Sequence, residues 1–581
     1  MYRKLLQSLR EYKKPTIITL FLIVLEVFID VAIPFITADL VNKIRVGVDM
    51  SEIVRAGLLL ILLAAVSLFC GGFAGFTCSR ASTGLAKNIR HDLFEKVQTF
   101  SFHNIDKFSS SSLVTRMTTD VTNVQFSYMM IIRSAVRSPL MIIFCIIMGF
   151  IMGGQLAITL VIVVPILGLG LFLISRKAMP IFRSLFKRYD KVNESVEENV
   201  EAMRVVKGFS REEYEKDKFN RSSHGLYIDF KKAERIVAWD MPLMQFCMYF
   251  NMIFILLIGS RLVITSGGTV IDVGQISAML NYAMQVLISL MFLAMTYVIL
   301  TMSHESMVRI YEVLTEVPEL KEKENPVTVV KDGSVRFDHV QFKYSEKARK
   351  FALTNVDLDI PSGATVGIIG GTGSSKTSLV QLIPRLYDVS EGAVYVGGVD
   401  VRDYSLSSLR DSVAMVLQKN QLFAGTIKEN LRWGCETATD DELLEACRLA
   451  QADEFIQTFP EKYDTHIEQG GTNVSGGQKQ RLCIARALLK KPKILILDDS
   501  TSAVDTRTDA MIRAGFKSYI PETTKIIIAQ RVSSVQEADI IIVMDNGGIV
   551  AVGNHETLLK TNDIYREVYE QQTNGGDSDD K

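Results

Sequence analysis

Charge is unevenly spread along the chain. Ala56–Ser79 and Ser138–Ser175 contain no Asp, Glu, Lys or Arg, and Met241–Ser260 and Val273–Ser303 are two further charge-free runs. A helix crosses a bilayer with about 20 apolar residues, so Ser138–Ser175 is long enough to cross twice around the turn at Gly153-Gly154-Gln155. A first span, about Thr16 to Val41, is interrupted by Glu26 and Asp30. The pattern predicts six membrane helices. Helices buried in a large soluble protein rarely run past about 18 uncharged residues.

The segments between spans set the orientation. Arg80–Arg137 and Arg176–Arg235 are long and rich in Lys and Arg, whereas the connections near 43–54, 152–155 and 265–274 are short and carry few. The positive-inside bias places both long loops, the N-terminus and everything after Ser303 in the cytoplasm. The opening MYRKLLQSLREYKK is basic and amphipathic, without the apolar core and cleavage site of a signal peptide, and reads as an interfacial helix. Each long loop carries helical periodicity, so each is expected to continue two spans into the cytoplasm around a short transverse piece. From about residue 334 the character changes: SVRFDHVQFKYS alternates like a strand, and helices then follow strands. The expected domains are 1–310 in the membrane with its loops, a charged linker 311–333, an α/β domain 334–573, and a disordered tail 574–581.

Composition adds less than pattern. The 581 residues are 48% hydrophobic and 22% charged, ordinary values that average two unlike halves, and the mean hydropathy of +0.20 is high for a soluble chain. Lys and Arg number 64 against 65 Asp and Glu, which argues against a nucleic-acid partner held by bulk charge. The cysteines (70, 78, 145, 247, 435, 447, 483) show no CxxC and no ligand spacing with His, so neither a disulfide scaffold nor a structural zinc site is expected.

The α/β domain carries the chemistry. ATVGIIGGTGSSKTSLVQLI reads as strand, glycine-rich turn and helix. Backbone N–H groups of Gly370, Gly371, Thr372, Gly373, Ser374 and Ser375 would cradle phosphates at a helix N-terminus, with Lys376 reaching the β- and γ-phosphates and Thr377 binding Mg²⁺. The strict GxxxxGK[ST] pattern has Ser375 where its second glycine belongs, and a Cβ there restricts the backbone. KILILDD is a buried strand ending in Asp498, suited to hold Mg²⁺. VSGGQKQR opens a second helix able to grip a phosphate, which suggests a sandwich sharing nucleotides between two copies.

FKY, GGTGSSKT, LQKNQLF, VSGGQ, LDDSTSAVD and IIIAQR, in this order, resemble the motif series of ABC transporter ATPases, and the six preceding spans resemble an exporter half-transporter. The resemblance covers nearly the whole chain. It implies a helical membrane domain fused to an α/β P-loop ATPase, with ATP and Mg²⁺ as cofactors, in a bacterial plasma membrane. It also implies roles: Tyr344 stacks on adenine, Gln418 senses the γ-phosphate beside the metal, Ser475, Gly476, Gly477 and Gln478 form the signature, and Ser502–Asp505 the D-loop. Transverse pieces at Asp106–Leu113 and Lys207–Glu213, the second with Phe209, would dock on nucleotide domains.

The departures sharpen the expectation. The family's usual catalytic glutamate after the Walker B aspartate is here Asp499, one methylene shorter. Its carboxylate would stand about 1.5 Å back from the attacking water, a misplacement that can slow chemistry about 10²-fold. The switch histidine is Gln530, which donates a hydrogen bond but exchanges no proton. With Ser375 these are three changes on one nucleotide face, whereas the signature is intact. The resemblance is therefore closest to the degenerate-site chain of heterodimeric multidrug exporters, whose partner supplies the Walker B glutamate and switch histidine. A homodimer with Asp and Gln at both sites would lack an efficient site. A lipid or peptide exporter and a nucleotide-sensing regulatory subunit are the alternatives.

The substrate path is less defined. Glu26 and Asp30 lie four apart on one face of the first span, where acids need a cavity, water near the outer leaflet, or a polar or basic partner. Met252, Phe254, Met279, Tyr282, Met284, Met291, Phe292, Met295 and Tyr297 suit a promiscuous amphiphile-binding surface, though most would face lipid or core. Asn251, Asn281 and Gln285 are better cavity candidates, since an amide in lipid goes unsatisfied.

Overall fold

The computed structural model describes residues 1–346, 348–499 and 504–574. Residues 575–581 of the expected tail, and Ser502 and Ala503 of the expected D-loop, lie outside them. The chain divides into two units, Met1–Thr99 with Ser109–Val317, and Phe100–Phe108 with Pro318–Lys581.

The first unit is helical: α1 (Tyr2–Gln7), α2 (Lys13–Val46) and α3 (Met50–Gln98) open it. The short α4 (Phe102–Phe108) belongs to the second unit. The first unit resumes with α5 (Ser110–Thr115), α6 (Val121–Met130), α7 (Val136–Gly153), α8 (Ile158–Glu201), α9 (Met203–Gly208), α10 (Glu212–Val237), α11 (Asp240–Ser266) and α12 (Val273–Thr315). Among the described residues, five continuous helical stretches are long and apolar enough to cross a membrane. The third, Ser110–Phe182, contains α7 and the first part of α8, which reverse at Gly154 (φ +48°). α7 and α8 pack closely: a Cβ on Gly149 would lie 3.0 Å from Leu160 Cδ1. That stretch therefore accounts for two of the six predicted spans. The transverse pieces fall slightly N-terminal to their expected places, α4 at 102–108 rather than 106–113 and α9 at 203–208 rather than 207–213. Each stops where a serine takes a left-handed conformation, Ser109 (φ +56°) and Ser210 (φ +50°).

Polar contacts join the membrane helices at depth. Arg137 of α7 pairs with Asp30 at 2.8 Å and Glu26 at 3.4 Å, and Ser67 Oγ donates to Asp30 Oδ1 at 2.8 Å. The two acids thus have a basic partner, and Gln285 donates from α12 to the Asp30 carbonyl at 3.4 Å. Asn251 is 1% exposed and its amide has no hydrogen-bond partner among the described residues. At the other end of α12, fully buried Asp120 accepts from Arg309 Nε at 2.7 Å and Ser306 Oγ at 2.8 Å. Removing Arg309, whose own side chain is partly exposed, would leave the buried Asp120 carboxylate without its cationic partner.

The second unit is built on sheets. Its strands are β1 (Val335–Phe342), β2 (Leu353–Ile360), β3 (Thr365–Gly370), β4 (Glu391–Val396), β5 (Val399–Asp400), β6 (Val413–Val416), β7 (Gly425–Thr426), β8 (His466–Ile467), β9 (Ile494–Asp498), β10 (Thr524–Ile528), β11 (Ile540–Asp545) and β12 (Gly548–Gly553). An antiparallel sheet has the order β2-β1-β4-β5, and a six-stranded sheet the order β12-β11-β3-β10-β9-β6. Among the described residues of the larger sheet, only β12 runs antiparallel to its neighbour. β9 and β10 are buried along their whole length, which is why they read as unbroken apolar runs rather than alternation. Parallel order sends the loops after β3, β6, β9 and β10 to one edge, where open α/β sheets bind ligands.

Candidate active site

Four adjacent strand ends place the predicted groups together. β3 ends at Gly370 and β9 at Asp498, Gln418 follows β6, and Gln530 follows β10. Gly370 has no room for a side chain: a Cβ would lie 2.2 Å from the Met544 carbonyl oxygen. The loop then turns through Gly373 (φ +85°) and Ser375 (φ +68°) into the helix Lys376–Gln381. Position 375 requires the left-handed conformation that glycine adopts freely, and serine holds it at about 1–2 kcal/mol. Lys376 Nζ folds back on the loop, donating to the carbonyls of Gly370 (2.9 Å) and Gly371 (2.8 Å) and to Ser374 Oγ (3.2 Å). Burial holds its ammonium below the usual lysine range, against the pull of Asp498 and Asp499.

Thr377 Oγ1 donates to Asp498 Oδ1 at 3.1 Å. Two oxygen donors side by side at the foot of a phosphate loop match what Mg²⁺ asks of a protein. Asp498 is 2% exposed. Burial raises its carboxyl above the usual range and the Thr377 hydrogen bond works the other way. Asp499, with φ +48°, turns the chain out of β9, its N–H bonded to the Ile528 carbonyl at 3.0 Å. Asp499 Oδ2 accepts Gln530 Nε2 at 2.6 Å and Gln418 Nε2 at 3.4 Å. The three residues that depart from, or flank, the family's catalytic pair thus engage one another.

Tyr344 sits beside the same loop. Its hydroxyl lies 2.7 Å from Ser378 Oγ, and its ring meets Phe342 and Tyr387 edge-on at 4.8 and 5.2 Å. Gly371 and Thr372 lie in the exposed part of the loop and Ser374 is buried. The signature closes on itself. Ser475 caps the helix Gly476–Leu489, its Oγ accepting from Gln478 N at 3.3 Å while Gln478 Oε1 accepts from Ser475 N at 2.9 Å. This capping box leaves the Gly476 and Gly477 amides directed along the helix start.

Two groups had no motif to reveal them. Tyr387 links the Tyr344 ring to α4, donating to Asp106 Oδ2 at 2.9 Å. Gln572, on the helix Asp563–Asn574, donates to the Gln530 carbonyl and accepts from Val532 N, both at 2.8 Å. The sequence offered no local signal for Tyr387, which lies outside any helix or strand, and for Gln572 only a polar residue at a helical position.

Comparison with known proteins accounts for both units. Residues 16–291 match the ABC transporter transmembrane region family and residues 353–502 match the ABC transporter family. The ABC transporter ATP-binding protein YfiB of Bacillus subtilis is 36% identical over 570 residues, 98% of each chain. A Mycobacterium bovis relative described as a fatty acid ABC transporter ATP-binding/permease protein is 32% identical, over 91% of this chain and 84% of that protein. A bacterial Atm1-family ABC exporter solved with ATP bound superimposes with a TM-score of 0.83 at 22% identity, over 97% of this chain and 99% of that one. The P-loop at the edge of a parallel sheet, the membrane helices and these matches agree: the chain is a multi-pass membrane protein with the fold of an ABC exporter, and it belongs to the ABC transporters.

Proposed function

We propose that this chain is one subunit of a heterodimeric exporter, with a nucleotide site of its own that binds ATP and hydrolyses it slowly. The observation that carries the reading is the Asp499 carboxylate, drawn to Gln530 at 2.6 Å. A carboxylate already accepting an amide hydrogen has fewer lone pairs free to orient water, and Gln530 offers no exchangeable positive proton in return. The Gly370–Ser375 loop and Lys376 would hold phosphates, Tyr344 would take the adenine, and Thr377, Asp498 and Gln418 would hold Mg²⁺, which when bound would neutralise phosphate charge. Ser475–Gln478, undistorted, completes a second site whose glutamate and histidine come from the partner chain. Phe209, 76% exposed beside a groove lined by Ala202, Val205 and Tyr214, is the docking side chain of the second loop.

The cargo is an amphiphilic molecule. A membrane face rich in Met and aromatic side chains suits drug-like compounds. The fatty-acid description of the M. bovis relative favours a lipid as the second reading. ATPase activity tests the assignment. The chain purified alone is expected to turn over ATP feebly and to gain about 10²-fold with its partner. Strong cooperative turnover by the chain alone would refute it. A substrate-stimulation screen of cationic dyes against fatty acids separates the two cargo classes.

A further inference from the structure

We infer that the ATPase unit holds a second anion site, for a phosphate dianion, beneath the helix Thr506–Tyr519 and away from the Walker groups. It is a cavity of about 210 Å³ between that helix, the first residues of β3 and β10, and the turn Ser534–Ala538. Arg513, Lys517, Lys525 and Glu537 are among its lining residues. Lys525 lies beside Thr365 in the parallel pairing of β10 with β3, so the cavity is at the strand starts. The phosphate loop leaves the opposite end of β3, roughly 16 Å along the strand. Occupancy of one site therefore leaves the other free.

Lys525 carries the inference. It is 4% exposed, and among the described residues its ammonium donates to one group, the Pro521 carbonyl at 3.4 Å. An ammonium has three donors, and a buried charge left with a single long hydrogen bond is kept at a cost in stability. Burial holds it below the usual lysine range, with Asp539 opposing and Lys517 adding to the effect. Arg513 brings a second under-used donor. Its Nε is buried 3.3 Å from Asp509 Oδ2 without hydrogen-bond alignment, and its Nη1 donates to the Ser533 carbonyl at 3.3 Å.

The acids nearby do not fill the cavity. Among those described, Glu537 lines it, and at the solvent edge pairs with Lys517 at 3.6 Å. Asp509 Oδ2 accepts from Ser534 Oγ at 3.0 Å and Asp539 Oδ2 from Thr365 N at 2.7 Å. Three cations against one carboxylate on the lining match a dianion, and a guanidinium fork beside an ammonium suits two charges on one compact tetrahedral group. Such a group would bridge β10 to the helix that begins after Asp505 and pin the two together. The site does not depend on the heterodimer reading, since none of its residues belongs to the Walker face.

Calorimetric titration of the full-length chain in nanodiscs tests this, with Mg²⁺ and a non-hydrolysable ATP analogue saturating the Walker site. Inorganic phosphate is expected to bind with a dissociation constant of about 1 mM or below, and chloride at matched ionic strength to give no saturable signal. Lys525→Met keeps the length and removes the charge. It should weaken phosphate more than about tenfold and, without phosphate, raise the melting temperature by about 2 °C, because an under-paired buried charge is gone. A lysine kept only to pair with Asp539 would lower it instead. Lys517→Glu, at the exposed mouth, reverses a charge without touching the core and should weaken phosphate about fivefold. Unchanged phosphate affinity in these variants, or a lower melting temperature in Lys525→Met, overturns the inference. Succinate binding as tightly as phosphate overturns the assignment to a phosphate group. Glycerol 3-phosphate binding more tightly than inorganic phosphate would identify a phosphomonoester, and the reverse order the free ion; either order supports the site.

Discussion

The signature and the Walker face lie in one unit and are built in opposite ways. Ser475 sits in an ordinary extended conformation (φ −67°, ψ 160°) and caps its helix with a reciprocal hydrogen bond to Gln478. Opposed to this ease, the Walker face holds two non-glycine residues in the left-handed region, Ser375 and Asp499, and ties its would-be catalytic acid to Gln530 and Gln418. A segment that must complete a neighbour's site benefits from a local structure that holds itself. A face that, as proposed, binds ATP and hydrolyses it slowly tolerates strain and internal pairing, provided phosphate is still held. On the proposed reading, the contrast puts the slow turnover in chemistry at one strand edge rather than in the fold.

The comparison breaks most sharply at the signature. Ser475→Arg is expected to lower the ATPase of the assembled complex by about 10³-fold, because it fills the place of a phosphate contact at the competent site; an unchanged rate in the complex would favour a regulatory subunit. Asp499→Glu combined with Gln530→His should raise turnover of this chain's own site by about 10²-fold, read in a complex whose other site is silenced. A flat response would place the deficit elsewhere than in the clamp. Ser375→Gly relieves the left-handed turn and should tighten ATP binding by about fivefold to tenfold, measured by titration, with a corresponding rise in melting temperature. The smallest effect is in pH. The native Asp498 carboxyl is raised above its ordinary value near 3.8, so the folded chain keeps a proton there that the unfolded chain has lost. Stability without nucleotide should therefore decline as pH rises from that value through the raised one, while Mg²⁺-dependent ATP binding strengthens over the same window. Parallel melting curves with and without Mg²⁺–ATP check both signs.

The motifs were legible because each is local: a strand, a turn and a helix start within a few residues, with chemistry that admits few side chains. Gly370, Lys376 and Asp498 announce themselves in this way, and even the misfit at Ser375 is readable, since its backbone angle is implied by the glycine it replaces. The spans were legible because bilayer thickness sets a length scale. Partners across the chain were not. Glu26 and Asp30 demanded a basic or polar neighbour or a cavity, yet Arg137 stands 107 residues beyond Asp30, and nothing local selects it over Arg133. Tyr387 carries no motif, and Asp106, placed in a transverse piece that proved to begin earlier, gave no hint that it accepts from a tyrosine. The π-helical turn Arg116–Asp120, which buries Asp120 against Arg309, follows from tertiary pairing that periodicity does not encode.

The membership of α4 in the second unit has a consequence for biogenesis. Asp106 leaves the ribosome 281 residues before Tyr387. At about 5–20 residues per second this is a wait of roughly 15–55 s. During that interval Phe102 and Phe108 are without their final surroundings, while the helices on either side enter the bilayer. Truncated chains ending before residue 387 are thus left with an unpaired apolar segment, the kind of exposure that chaperones and membrane proteases recognise.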